Sequence, residues 1–267
     1  MSLRLGLLAV GLVALAALMS LIWTPYPPAA LDVAHKLGAP SAAHWLGSDA
    51  LGRDVASEIL AGARISLLVG VIAVGVGLAL GVALGLIAAS VGGLIEDALM
   101  KACDFAYAFP ALLLAILLTA TYGPGIVNAI SAIGLANVPV FAKLTRAAAN
   151  AALSRDYALA ARAAGRGAVS IAFNHVLPNI AAPLIVQATI QFAIAILAEA
   201  ALSYLGLGAQ PPLVSWGRML ADAQSWLFVA PRLAVFPGLA IAFAVLGLNL
   251  LGDGLRDALD PKLRARS

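Results

Sequence analysis

Two sets of side chains in this sequence are of a type that does chemistry. One is a group of four donors near the start, His35, His44, Asp49 and Asp54; the other is a single acid, Glu199, set in an apolar run. The four donors could ligate a metal, but their spacing fits no ligand motif. A carboxylate inside a membrane-spanning run is a candidate proton or cation site. Glu199 also lies one or two turns from the end of its run, before LSYLGLGAQPPLVSWG. There it can hydrogen-bond to the backbone of that turn or pair with Arg218 or Arg232, and this structural reading is preferred. No Gly-Lys pair occurs, so there is no loop of the kind that cradles ATP phosphates. The three histidines are split between two distant stretches, which argues against a Ser/His/Asp constellation. Cys103 is the only cysteine, which excludes an intrachain disulfide and a cysteine-based metal cluster.

The elements that must position these residues are set by composition. Of 267 residues, 63% are hydrophobic and 11% charged, with a mean hydropathy of +1.00. A soluble domain carries about 25% charged residues, so this is an integral membrane protein. The pI near 9.2 reflects cations at segment ends, with no basic patch for nucleic acid.

Leu3 to Trp23 is long enough to cross a bilayer, where about 20 residues are needed, and is read as a retained span in preference to a cleaved signal. Residues 24–63, with prolines at 25, 27, 28 and 40, form an extracytoplasmic segment. Within it Ser48 or Asp49 is expected to cap a short surface helix carrying Val55, Ile59 and Ala63 on one face. Ile65 to Ile95 is uncharged, and Gly77, Gly81 and Gly85 make one stripe where another backbone can approach. Phe105 to Ala142 is too long for one crossing and divides at Gly123-Pro124-Gly125. Ile180 to Leu205 and Leu233 to Leu251 complete six spans. Residues 64–254 are thus a five-helix core and 255–267 a cytoplasmic tail.

With a cytoplasmic N-terminus, eleven of the sixteen basic residues fall inside: Arg4, Lys101, Lys143, Arg146, Arg155, Arg162, Arg166, Arg256, Lys262, Arg264 and Arg266. Lys36, Arg53, Arg64, Arg218 and Arg232 fall outside. This asymmetry obeys the positive-inside rule and places both termini in the cytoplasm.

The stretch 154–179 is then a cytoplasmic loop, ending DYALAARAAGRGAVSIAFNHVLPN. Ser154 is expected to cap a helix beginning near Arg155, and Gly165 to stop it with a left-handed residue. A second short helix, roughly Ala168 to Val176, should end before Pro178, which has no backbone donor. Two short alanine-surfaced helices make a knob that another protein can grip.

This loop resembles that of ABC importer permeases, which carry a Glu-Ala-Ala triplet, a Gly four positions on, and a Leu-Pro pair. The triplet falls on Leu159-Ala160-Ala161, the Gly on Gly165 and the pair on Leu177-Pro178. Leu159 for Glu and His175 for Ile are departures shared with the branch that imports peptides and nickel. In that branch HWLGSD (His44 to Asp49), Gly52-Arg53-Asp54, GGLIEDALMKACDFAYAFPALLLAI, Leu202 to Gly208 with Trp216-Gly217, and the closing GDGLRDALDPKLRARS also find matches. The chain is similar to the second, C-type permease of the pair.

The resemblance implies an all-α type I importer permease of six transmembrane helices in the bacterial inner membrane. It implies that Tyr157, Ala160, Ala161, Gly165, Leu177 and Pro178 contact an ATPase. Asp49, Arg53, Asp54, Glu199 and Trp216 are candidates for an extracytoplasmic gate or its support. No cofactor is expected on this chain, ATP and Mg belonging to partner subunits. The expected partners are a second homologous permease, two ATP-binding subunits, an extracytoplasmic solute-binding protein and lipid. A self-sufficient secondary transporter or channel is the alternative; it would need midplane charges or broken helices around an ion site. An intramembrane enzyme lacks a catalytic set within the spans.

Overall fold

The computed structural model describes residues 2–259; the end of the expected tail, with Lys262, Arg264 and Arg266, lies outside the described residues. All regular elements there are helical. The first, α1 (Ser2–Ile22), buries Gly6, Ala9, Val13 and Ala17, one residue per turn. That small-residue edge meets α10 (Arg232–Leu259): a Cβ on Gly6 would sit 2.3 Å from the Leu251 nitrogen, and one on Gly254 2.4 Å from Leu3. Such close backbone approach is how apolar helices gain dispersion contacts in lipid.

The second span differs from expectation. No separate surface helix precedes it; α2 runs unbroken from Val55 to Val91, 37 residues. Its cap is Asp54, whose carboxylate accepts from the Ser57 N–H at 2.8 Å. At 1.5 Å per residue α2 is about 55 Å long, nearly twice a hydrocarbon core, so its first turns stand beyond that core with residues 24–54. The glycine stripe packs as expected against α5 (Ile126–Leu153). Gly77 meets Asn137, Gly81 meets Val138 and Phe141, and Gly85 meets Ala142 and Thr145, each with a contact of 2.6 Å or less from a hypothetical Cβ.

The third span is shorter than the sequence suggests. A polar helix α3 (Gly93–Ala108) and an apolar helix α4 (Ala111–Tyr122) meet at an 80° bend. Pro110 forces the bend: it forbids helical geometry at Phe109, which is extended at φ −87°, ψ 118°. With α4 only 12 residues long, five helices among the described residues are long and apolar enough to cross, and the bent pair supplies a sixth only when taken together. The divide at Gly123-Pro124-Gly125 is as expected, with Gly123 at φ +86°. The Gly125 N–H donates to Leu207 O at 3.1 Å, tying this turn to the one that follows the fifth span.

The loop 154–179 contains α6 (Asp156–Ala163) and α7 (Ala168–Ile171). The expected stop at Pro178 does not occur. A π-helical turn (Ala172–Val176) joins α7 directly to α8 (Leu177–Tyr204), so Ala168 to Tyr204 is one continuous helix of 37 residues. The Leu177 N–H reaches back five residues to Ala172 O, and this wider turn accommodates a proline that would clash in α geometry. Beyond α8 a short helix α9 (Trp216–Ala223) is capped by Ser215, whose hydroxyl accepts from the Arg218 N–H. One apolar core joins α2, α4, α5, α8 and the inner face of the loop; a second joins α1, α8, α9, α10 and the first turns of α2.

Candidate functional site

In the loop 154–179, Ser154 does not cap α6. Its hydroxyl donates back to Ala151 O at 3.0 Å, and Arg155, with extended backbone, stands at the cap position. Gly165 does end the helix with a left-handed residue, φ +77°, its N–H bound to Arg162 O at 2.9 Å. No atom lies within 4 Å of where its Cβ would be.

The loop has two faces. Ala158 and Ala161 point inward, and Ala161 joins Ala149, Ala152, Ile171 and Val176 in the core. Tyr157, Leu159, Ala160 and Gly165 point outward. Ala161 therefore seats the knob on its own span, while Ala160 belongs to the free surface. Leu177 is half-buried and Pro178 exposed, at the foot of α8. Tyr157 borders a hollow of about 570 Å³ between α5 and α8, lined also by Arg155, Asp156, Asn179 and Pro183.

At the opposite end, residues 24–54 fold back onto α2 and α9 through buried polar contacts. Asp49 accepts from the Leu51 and Arg53 N–H groups and from Arg53 Nε, all within 2.8 Å. Arg53 also reaches Glu58 at 3.0 Å and Asp222 on α9 at 3.4 Å. Burial would lower the Arg53 guanidinium, but Glu58, Asp49 and Asp222 outweigh it and hold it above its ordinary value. Asp54 binds Ser57 and His44 Nδ1, at 2.7 and 2.9 Å, and the His44 ring stacks on Tyr26 with centroids 4.6 Å apart. His35 turns instead to Asp32, at 2.7 Å. A cavity of about 210 Å³ opens beside Arg53, Glu58, Arg218 and Asp222.

Glu199 is 1% exposed. Its carboxylate accepts from Ser66 of α2 at 3.1 Å and Ser203 of α8 at 2.7 Å. The Ser203 hydroxyl in turn accepts from the Ala209 N–H at 3.0 Å, so the acid holds the following turn through a serine. Neither arginine considered from sequence reaches it: Arg218 pairs with Asp222, and Arg232 donates to Leu37 O and Gly38 O. Trp216, 2% exposed, donates its indole N–H to Ile59 O at 3.0 Å.

Sequence reasoning missed Glu58, Asp222 and the two serines. Glu58 lies four residues past Asp54 in the first turn of α2, where a helix favours an acid, and that was the available signal.

A bundle of long apolar helices, crossed by one exposed helical knob and closed at its far end by a polar cluster, defines a polytopic membrane component. The chain belongs to the family of binding-protein-dependent transport system inner membrane components, matched over residues 81–265. It is a permease subunit of an ABC importer. It is 44% identical over 260 residues to the dipeptide transport system permease protein DppC of Alkalihalophilus pseudofirmus, covering 97% of this chain and 86% of that one. It is 45% identical over 265 residues to the di/tripeptide transport system permease protein DppC of Pseudomonas aeruginosa, covering 97% and 88%. The glutathione transport system permease protein GsiD of Pectobacterium atrosepticum is 46% identical over 226 residues, covering 85% and 75%. Among solved structures, the inward-facing MetNI methionine ABC transporter shares the fold with a TM-score of 0.58 at 18% identity, covering 76% of this chain and 96% of that one.

Proposed function

We propose that this chain forms half of an import pathway for short peptides, paired with a second, homologous permease and driven by two ATPase chains on its cytoplasmic side. An extracytoplasmic solute-binding protein delivers the substrate, and ATP and Mg bind the ATPases. The termini and the 154–179 loop face the cytoplasm. Peptide is favoured as the substrate class because the relatives of highest coverage are named for di- and tripeptide transport.

The observation that carries the ATPase contact is the outward face of α6. Tyr157, Leu159 and Ala160 are exposed on a helix that Ala158 and Ala161 anchor from beneath. Movement of a docked ATPase passes through that anchor into α5 and α8, the helices the loop joins.

Two substitutions test the contact. Gly165→Val puts a β-branched residue at φ +77°, where L side chains lose about 1–2 kcal/mol. Ala160→Asp sets a charge into a contact that excludes water. Both variants should reach the membrane at normal abundance and copurify with less ATPase. Normal ATPase content and normal transport in both would reduce the loop to a connector.

A further inference from the structure

α3 is a helix with almost no apolar anchorage. Of its 16 residues only Cys103 is buried, while Leu94, Ile95, Phe105 and Tyr107 are exposed. Both ends are breaks: Gly92 and Gly93 have φ +69° and +59°, and the 80° bend follows Ala108. Ion pairs to α5 hold it instead. Glu96 accepts from Arg146 Nε at 2.5 Å and Asn150 Nδ2 at 3.1 Å. Eight residues on, Asp104 meets Lys143 Nζ at 2.6 Å, and the same ammonium lies 4.7 Å from the Tyr107 ring centre.

The spacing makes these contacts one seam. Positions 96, 103, 104 and 107 fall on one face of α3, and 143, 146 and 150 on one face of α5, with the two helices antiparallel. The partner helix α5 is itself locked to α2 by Gly77, Gly81 and Gly85, and its far end enters the loop. Its last buried residues, Ala149 and Ala152, share a core with Ala161. Loop, α5 and α3 therefore form one body, and α3 belongs to it through charge.

We propose that Asp104 and Lys143 are a positioning pair for transport: they make the cytoplasmic start of the third span move with the helix that ends in the ATPase-facing loop. The exposed rings of Phe105, Tyr107 and Phe109, at the start of that span, are carried along. The seam stays closed through the cycle, and bending falls at Phe109-Pro110. This rests on the loop being the ATPase contact.

The test uses the complete transporter in proteoliposomes, with its binding protein, and labelled di-alanine as probe. The readout is peptide moved per ATP hydrolysed. Lys143→Gln and Asp104→Asn should each lower that ratio about fivefold, within the usual range of coupling between sites, while the ATPase chains still copurify. The exchange Asp104→Lys with Lys143→Asp should restore the ratio, which a purely local packing role would not do. In a Cys103→Ala background, a short thiol cross-link between Asp104→Cys and Lys143→Cys should leave transport intact. An unchanged ratio in both neutral variants, failure of the exchange to rescue, or arrest by the cross-link would each overturn the proposal. Loss of ATPase chains from Gly165→Val tests the loop reading separately, so failure of either is visible alone.

Discussion

The indole of Trp216 and the backbone of Gly62 are in contact: a Cβ on Gly62 would stand 2.6 Å from Trp216 Cδ1. One turn earlier the same indole donates to Ile59 O. α9 is thus riveted to the first turns of α2 by a ring that fits only because position 62 has no side chain. Gly62→Ala should cost about 1–3 kcal/mol by overpacking. Trp216→Phe loses that hydrogen bond and also leaves a void where the larger ring was, and should cost about 2–4 kcal/mol. Thermal unfolding in detergent should rank Trp216→Phe as the more damaging of the two.

Arg53 answers three carboxylates, two of which, Asp49 and Glu58, are buried. Arg53→Ala would strand Glu58 and leave Asp49 only its two backbone N–H donors, and removing one partner of a buried pair costs about 3–5 kcal/mol. Arg53→Lys should recover only part of that, because an ammonium cannot fork to several acids at once. Adding Glu58→Gln to Arg53→Ala should relieve the loss, and a double-mutant cycle on stability measures by how much.

At Glu199 the two oxygens have different neighbours. The Ser203 hydroxyl donates to the acid while it accepts from Ala209, whereas the Ser66 hydroxyl is bound to the acid alone and is free to turn and accept. Glu199→Gln therefore fits, with its carbonyl toward Ser203 and its amide toward Ser66. Transport should stay within about twofold of the parent, a difference of a few tenths of a kcal/mol. Glu199→Leu leaves both serines without an acceptor and should cost about 1–3 kcal/mol for each. Abundant, stable but inactive Glu199→Gln protein would instead put the acid in the pathway.

Topology is checked by labelling. Cys103 is only 6% exposed and makes a poor reporter. Ser154→Cys in a Cys103→Ala background places a thiol at an exposed site in the loop, and Phe228→Cys does so beyond α9, where the native ring is fully exposed. A membrane-impermeant maleimide should label position 228 from outside intact cells and position 154 only in inverted vesicles. The reverse pattern would invert the assignment.

The long apolar runs were legible because twenty uncharged residues have few fates other than a membrane. The glycine stripe of α2 was legible for a related reason, since regular small residues on one face have little use but close packing. What escaped was decided by competition between near neighbours. Ser48, Asp49 and Asp54 are all good caps; Asp54 wins because Asp49 is occupied by Arg53 and Ser48 bonds the loop at Gly38. Ser154 has a carbonyl within reach and donates to it instead of capping. Glu58 was passed over because it precedes the uncharged stretch, although α2 begins three residues before it. The outward and inward faces of α6 required the structure, since alanines serve both.

The π-helical turn before Pro178 is a helix carrying one surplus residue. Each residue of an α-helix turns the chain by about 100° and advances it about 1.5 Å, so a surplus residue wound in α geometry would swing everything upstream, the α6 knob included, by about that angle. The i→i+5 bond from Leu177 to Ala172 takes the surplus up within one turn, so the rods on either side keep nearly the bearing they would have without it. The bearing of α6 about the axis of α8 is thus kept by a backbone bond and not by any side chain.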